Sequence, residues 1–391
     1  MIRCVHYLPS IRLEEGGVAR AVLDFCGAFA ALGHPTSLIT GDAADVPAAW
    51  MSASAQGAGT PRVVKIDAPG RTLGLLRHRA KSNAAEALRD ADVLHLHAPW
   101  LQSNLQLASL ARRTGLPYVL SAHGMLDDWS MSQKRLKKRL YLTLFGNRLF
   151  RNAARIHCTA QAELQQAGRW FGPEKGVVIP LIMDPAPFRD LPGPELARGR
   201  FAPLRGDEPK LLFLSRVHPK KGIELLLRAA AELRHRRGRP CTVLIAGPGE
   251  PTYVASLQTL ATELGIDQAT HFLGMVRGAE KLSLYQAADC FVLPTSQENF
   301  GFVLLEAMAC GTPVVTTRGV DIWQELEGAG ASIVERTADA VASAIERSVA
   351  DPTAAAALGQ RGRQWVPDYI EPTRVAREYE TLYRSIMRKP A

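Results

Sequence analysis

Two glutamates, Glu298 and Glu306, stand in the otherwise mostly apolar stretch SQENFGFVLLEAMACGTPVV at residues 296–315. A carboxylate among Leu305, Ala307 and Met308 is costly to bury unless something hydrogen-bonds to it. An exposed helix face would need further polar residues, and 302–310 offers none. Glu306 is therefore expected to accept hydrogen bonds from a hydroxylated ligand. Phe300 and Gly301, where that helix begins, would turn backbone N–H groups toward the same ligand, at an end whose dipole favours negative charge.

A second constellation is LFLSRVHPKKG at 212–222, in which Arg216, Lys220 and Lys221 follow an apolar strand and precede a helix. A planar guanidinium and mobile ammonium groups at such a strand end suit a diphosphate, although a solvated basic loop would read the same way. Gly16 and Gly17 open the first long helix and let a phosphate or sugar approach the backbone. Neither G-x-G-x-x-G nor G-x-x-x-x-G-K-[ST] occurs, which counts against hydride transfer and P-loop NTP hydrolysis. Gly247 and Gly249, in LIAGPGEP, form a weaker turn of the same type that loop geometry alone would explain.

In YVLSAHGMLDDW, His123 ends a strand pattern beside a glycine and two carboxylates, Asp127 and Asp128. A lone histidine is often structural, but this position suits a site residue. HLHAPW at 95–100 ends a neighbouring strand, so His97 and Trp100 are expected to line the same place. The segment 132–155 holds eight Lys or Arg and no acidic residue, with Leu136, Leu140, Leu144 and Leu149 at near-helical spacing. It reads either as a basic amphipathic helix resting on anionic lipid or as a helix packed on the core with a solvated face.

The elements that position these residues alternate between short apolar runs and longer helical patterns, as in parallel sheets covered by helices. The proline-dense stretch 180–209 interrupts the alternation and marks a boundary between two similar α/β halves. Ligands of open parallel sheets sit at strand C-termini, so two such halves facing each other would form a cleft. With 391 residues, 47% apolar and 22% charged, the chain has the composition of a soluble globular protein. No run is long and apolar enough to span a bilayer or serve as a signal peptide, so a cytoplasmic location is expected. The six cysteines are scattered singly and read as reduced core thiols, and no Cys/His cluster for zinc is visible. A net charge of +9 permits an anionic partner, but nucleic acid finds no interleaved aromatics or binding module in its support.

Together these stretches resemble the retaining glycosyltransferases of the family 4 (group 1) type. The resemblance covers nearly the whole chain, through GGVAR, SRVHPKKG, LIAGPGE, FLGMV, YQAADCFVLPTSQENFGFVLLEAMACGTPVV and the closing helix. Its most specific mark is the glutamate pair with seven residues between. SAHGM followed by a basic helix is similar to members that build bacterial capsule, exopolysaccharide or O-antigen (lipopolysaccharide) chains. The family implies an α/β, GT-B fold of two facing Rossmann-like domains with a central cleft. Residues 1–190 would form the acceptor-side domain and 191–365 the donor domain, with a closing helix at 366–391 returning toward the first.

The resemblance further implies that Arg216 and Lys221 hold the diphosphate of a UDP- or GDP-linked hexose and that Glu306 binds the ribose. Glu298, with the backbone of Asn299, Phe300 and Gly301, would hold the sugar. The backbone around Met275 and Val276 would meet the base, and Gly16 and Gly17 the phosphates or sugar. His123 would reach the sugar or the acceptor, with His97, Trp100 and Asp127 nearby, whereas Lys220 has no fixed counterpart. Two fixed cations can replace a metal, so no metal and no cofactor is expected. The implied partners are the nucleotide sugar, a saccharide or lipid-linked saccharide, and an inner-membrane surface met by Lys134, Arg135, Lys137, Lys138 and Arg139. A same-fold epimerase and a non-catalytic nucleotide-sugar or nucleic-acid binding protein are the alternatives.

Overall fold

The architecture was derived from a computed structural model, which describes residues 1–52, 59–70 and 74–387. The chain forms two α/β units, Met1–Asp184 together with the chain from Ile370, and Pro185–Tyr369. The junctions thus fall at 184/185 and 369/370, against the expected 190/191 and 365/366. Residues 388–391, the end of the expected closing segment, lie outside the described residues.

The first unit contains β1 (Cys4–Tyr7), β2 (Thr36–Thr40), β3 (Arg62–Lys65), β4 (Val93–His97), β5 (Tyr118–Ser121), β6 (Arg155–Cys158) and β7 (Gly176–Val178). They form one parallel sheet in the order β3-β2-β1-β4-β5-β6-β7. The second contains β8 (Lys210–Leu214), β9 (Thr242–Ala246), β10 (Thr270–Gly274), β11 (Cys290–Leu293), β12 (Val314–Thr317) and β13 (Ser332–Val334), parallel in the order β10-β9-β8-β11-β12-β13. β13 is only three residues long. Each sheet reverses its winding once, between β1 and β4 and between β8 and β11. Such switch points leave a crevice at the strand C-termini. Helices cover both faces, which is why β1, β4, β5 and β8 are buried along their whole length.

The helix Pro372–Ile386 belongs to the first unit. Its Val375, Ala376, Tyr379, Leu382 and Tyr383 recur on one face and pack on Ile2, Cys4, Phe25 and Phe29. Glu371 caps it, accepting from the N–H groups of Thr373 and Arg374, and Pro372 opens the first turn. All six cysteines are buried free thiols.

Candidate active site

In the second unit the loops after β8 to β12 interlock so closely that only glycine fits at several crossings. A Cβ on Gly222 would stand 2.1 Å from Pro294 O, one on Gly247 1.9 Å from Ser215 O, and one on Gly319 2.5 Å from Thr295 O. Gly222 and Gly247 also have positive φ, 73° and 133°. The turn Pro219–Lys221 is tied to the loop after β11, since Lys220 O accepts from Ser296 N (2.8 Å) and Thr295 Oγ1 (2.9 Å). Lys221 is therefore carried into contact with Glu298.

Lys221 is only 3% exposed, and its Nζ pairs with Glu298 Oε2. Burial first, then the charges of Lys220 and Arg216, pull the Lys221 ammonium well below its ordinary range. The adjoining carboxylate opposes that pull. Arg216 is exposed and forms no ion pair among the described residues. Lys220 is half-buried, with Nζ 3.1 Å from Gln297 Oε1. Glu298 is fixed through its backbone, its N–H donating to Gly319 O (2.7 Å) and its C=O accepting from Asp321 N (2.9 Å). Asn299 Nδ2 donates to Asp321 Oδ2 (2.9 Å). Phe300 is buried against Phe302 and Tyr369, and Gly301, at φ 67°, precedes the helix Phe302–Ala309.

Glu306, isolated in sequence, is not isolated in the fold. Its Oε1 accepts from Lys281 Nζ (2.8 Å) and its Oε2 from Tyr285 OH (3.1 Å), both on the helix Gly278–Ala287. Burial and the neighbouring Glu306 charge raise the Tyr285 phenol well above its usual range, so it remains a donor. Sequence reasoning missed both partners; their i, i+4 spacing in EKLSLY was the available signal. The carboxylate keeps lone pairs for further donors. Met275 (45% exposed) and Val276 (6%) follow β10, with Gly274 O accepting from Gly247 N (2.7 Å).

In the first unit, Gly16 has φ 132° and precedes the helix Gly17–Ala31 at the β1 end. Ala98 and His123, after β4 and β5, are non-glycine residues with positive φ, 64° and 51°. Strain of this kind persists where the surroundings enforce it, often at functional sites. Asn104 Nδ2 clamps His97 O (2.9 Å) and Ala98 O (2.7 Å). Glu163, fully buried and missed from sequence, accepts from Gly124 N (2.5 Å), Thr159 N (2.6 Å) and Thr159 Oγ1 (2.9 Å). Asp127 is 1% exposed and caps the helix Asp128–Ser132 through Ser130 N (2.5 Å), a structural task. Trp100 is half-buried, donating to Met125 O (3.1 Å) beneath Lys138 Nζ at 5.0 Å.

The sequence shows no Cys/His cluster for zinc, yet the fold brings four strand histidines together. Strand register puts His6 opposite His95, His97 opposite Ser121, and Ser121 opposite His157. His6, His95 and His97 offer ring nitrogens all within 4.8 Å of one another. The rings of His95 and His97 lie nearly parallel, at 11° with centroids 4.6 Å apart, and His6 is tilted 31° to His95. Lone pairs in two parallel planes do not meet at one ion about 2.0 Å from each nitrogen. Both nitrogens of His95 are also bonded, to Tyr383 OH (2.6 Å) and Ser121 Oγ (2.7 Å). The group is a hydrogen-bond network. Asp90-Ala91-Asp92 enters β4 from the opposite sheet edge, where Asp92 accepts from Arg3 N (2.7 Å).

The basic segment is helical from Arg135 to Asn152, with a π-turn at Leu142–Gly146. The leucine stripe splits, with Leu149 alone of its members buried. Leu142, Leu149 and Phe150 pack inward, while Leu136, Leu140, Leu144 and Phe145 are 83%, 61%, 59% and 49% exposed. Lys134, Arg135, Lys137 and Arg139 are exposed beside them. No helix of the described residues is long and apolar enough to cross a membrane.

Residues 16–181 match the model of a glycosyl transferase 4-like domain, and residues 199–365 that of glycosyl transferases group 1. The chain is 30% identical over 319 residues to a D-inositol 3-phosphate glycosyltransferase of Kineococcus radiotolerans, covering 76% of this chain and 73% of that one. It is 34% identical over 289 residues to a GDP-mannose-dependent alpha-(1-6)-phosphatidylinositol monomannoside mannosyltransferase of Mycolicibacterium smegmatis, covering 71% and 72%. Its fold is similar to that of the Anabaena protein HepE, solved with UDP and glucose, with a TM-score of 0.76 and 19% identity over 98% of this chain and 100% of that one.

Proposed function

Since the chain belongs to the group 1 glycosyl transferases, we propose that it moves a hexose from a UDP- or GDP-linked donor to a saccharide acceptor, with retention at the anomeric carbon and without a metal. The observation that carries this reading is the convergence of Arg216, Lys221 and Glu298 at the C-terminal edge of the second sheet, with Glu306 on the helix that follows. Charge growing on the departing β-phosphate meets cations already in place, so little reorganisation is needed at the moment of reaction. Glu306 takes the ribose hydroxyls. Glu298, engaged by Lys221, orients sugar hydroxyls and is not the nucleophile. The acceptor hydroxyl attacks on the face the nucleotide leaves, and a phosphate oxygen receives its proton.

The test is thermal stabilisation by UDP, GDP and their hexose conjugates in the presence of a chelator. A ligand bound only by the native state raises the melting temperature by mass action. One diphosphate is expected to stabilise the wild type, and Glu306→Ala to weaken it about tenfold or more, the loss of a charge-assisted hydrogen bond. A 2′-deoxy diphosphate should lose much less on the same substitution. Equal affinity of both proteins for the ribose form would refute the placement of Glu306, and release of an epimerised sugar without acceptor would favour the epimerase.

The acceptor proposed is a lipid-linked saccharide of surface polysaccharide synthesis, met at an anionic membrane surface in the cytoplasm. Exposed Leu136, Leu140, Leu144 and Phe145 flanked by Lys134, Arg135, Lys137 and Arg139 support it. Lys138 is less free, since it lies over Trp100. At about 1 kcal/mol per basic residue, reversing the four exposed charges should weaken binding to phosphatidylserine vesicles by at least a thousandfold. Unchanged sedimentation with vesicles would remove the membrane from the proposal.

A further inference from the structure

His6, His97 and His123 form a chain that the reaction as described does not use. His6 Nδ1 lies 3.0 Å from His97 Nε2, and His97 Nδ1 lies 2.9 Å from His123 Nε2. At the inner end, His6 Nε2 is buried without a partner. At the outer end, His123 Nδ1 makes no hydrogen bond among the described residues.

Burial pulls His6 and His97 well below their ordinary range and His123 down to about 3, so each ring is neutral and carries one N–H. The chain then has two directions. If His123 donates inward, His97 must donate to His6, and the buried His6 Nε2 becomes an orphan N–H. If His6 donates outward, His97 donates to His123, and the inner orphan is only a lone pair. Orphaned buried N–H groups are the rarer of the two in folded proteins. The outward direction leaves the unpartnered N–H on His123 Nδ1, which, unlike His6 Nε2, is not a buried unpartnered atom and can meet solvent or a ligand.

A neighbouring chain on the same sheet face fixes its own direction. Ile179 O can only accept, so His157 Nε2–H donates to it (2.7 Å) and Ser121 donates to His157 Nδ1 (2.8 Å). His95 Nε2–H then donates to Ser121 Oγ (2.7 Å), and Tyr383 donates to His95 Nδ1 (2.6 Å). His95 supplies no proton to the other chain, whose direction is set by His6 alone.

We infer that His97 and His6 are positioning residues that hold His123 as its Nδ1–H tautomer, so that it offers a hydrogen-bond donor, and no basic lone pair, to the hydroxylated substrate. The inference rests on the reading above that His123 belongs to the sugar or acceptor side. Asn104, which holds the His97 and Ala98 carbonyls, and Glu163, which holds Gly124, keep the two outer rings in register.

The test reads the tautomer directly, from two-bond proton–nitrogen correlations of the full chain carrying ring-nitrogen-labelled histidine near neutral pH, with His123 assigned by its loss in His123→Ala. A protonated Nδ1 and an unprotonated Nε2 are expected; an Nε2–H His123 or an imidazolium overturns the inference without any activity measurement. His97→Asn, whose amide N–H replaces the imidazole Nδ1–H, should keep the tautomer and stay within about threefold of wild-type kcat. His97→Leu should release the tautomer and lower kcat about tenfold, the worth of one hydrogen bond, with little change in KM. Wild-type kcat and tautomer in His97→Leu would overturn the positioning role. Transfer unimpaired in His123→Ala would overturn that role too, while leaving the tautomer assignment of the wild type standing.

Discussion

A Lys221→Met protein is expected to lose about a thousandfold in kcat, the scale of removing one preorganised group from a developing anion. Its KM for the nucleotide sugar should rise far less, because the charge Lys221 meets is larger in the transition state than in the bound donor. The same substitution strands the Glu298 carboxylate, whose side chain is 19% exposed and paired with Lys221. Breaking such a pair from one side costs about 3 kcal/mol, which would appear as a lower melting temperature. Adding Glu298→Gln removes the stranded charge and should restore most of the stability and none of the turnover. Arg216→Met separates the effects from the other side. That residue is exposed and unpaired among the described residues, so its loss should change stability by no more than about 0.5 kcal/mol while kcat falls. A change confined to KM in either variant would contradict the role given to the two cations.

The sequence carried this donor-side group because all its members sit in loops after apolar strands, and the order of strands and loops is linear information. Arg216, Lys221, Glu298 and Gly301 follow β8 and β11, the strands that flank the switch point. Partners that come from another helix were not legible: Lys281 and Tyr285 are 25 and 21 residues from the Glu306 they bind. The histidine seam was hidden for a different reason. His6, His95, His97 and His157 look like unrelated residues in separate apolar runs, and only the register set by the crossovers puts them on one face. The HLH alternation of β4 was the single local hint. Which face of the basic segment packs was not legible, since a π-turn at Leu142–Gly146 interrupts the helical period, with Leu136, Leu140 and Leu144 outside and Leu142 and Leu149 packed inward.

That seam should make the fold acid-labile well above the range where carboxylates titrate. Burial holds His123 at about 3 and His157 at about 4, against an ordinary 6.5. Between those limits the unfolded chain binds protons that the folded chain refuses, so stability is complete above pH 6.5 and is lost as pH falls toward the folded values. Each such histidine costs about 1.4 kcal/mol per pH unit, so these two together remove about 4 kcal/mol by roughly pH 5. His6, His95 and His97, also pulled well below their ordinary range, add to the loss. Asp24 acts in the opposite sense. Burial raises it to about 6 against Arg20, so the folded chain gains a proton there and about 1 kcal/mol returns by the same pH. The net remains a large share of a folding free energy of about 5–15 kcal/mol, and the melting temperature should fall steeply between neutrality and roughly pH 5. His157→Gln keeps a donor for Ile179 O and removes one titrating ring, so its melting temperature should decline with a visibly shallower slope. A melting temperature that is flat across that range would mean that the histidines take up protons in the folded protein as readily as in the unfolded one, and the directed hydrogen-bond chains described for them would fall.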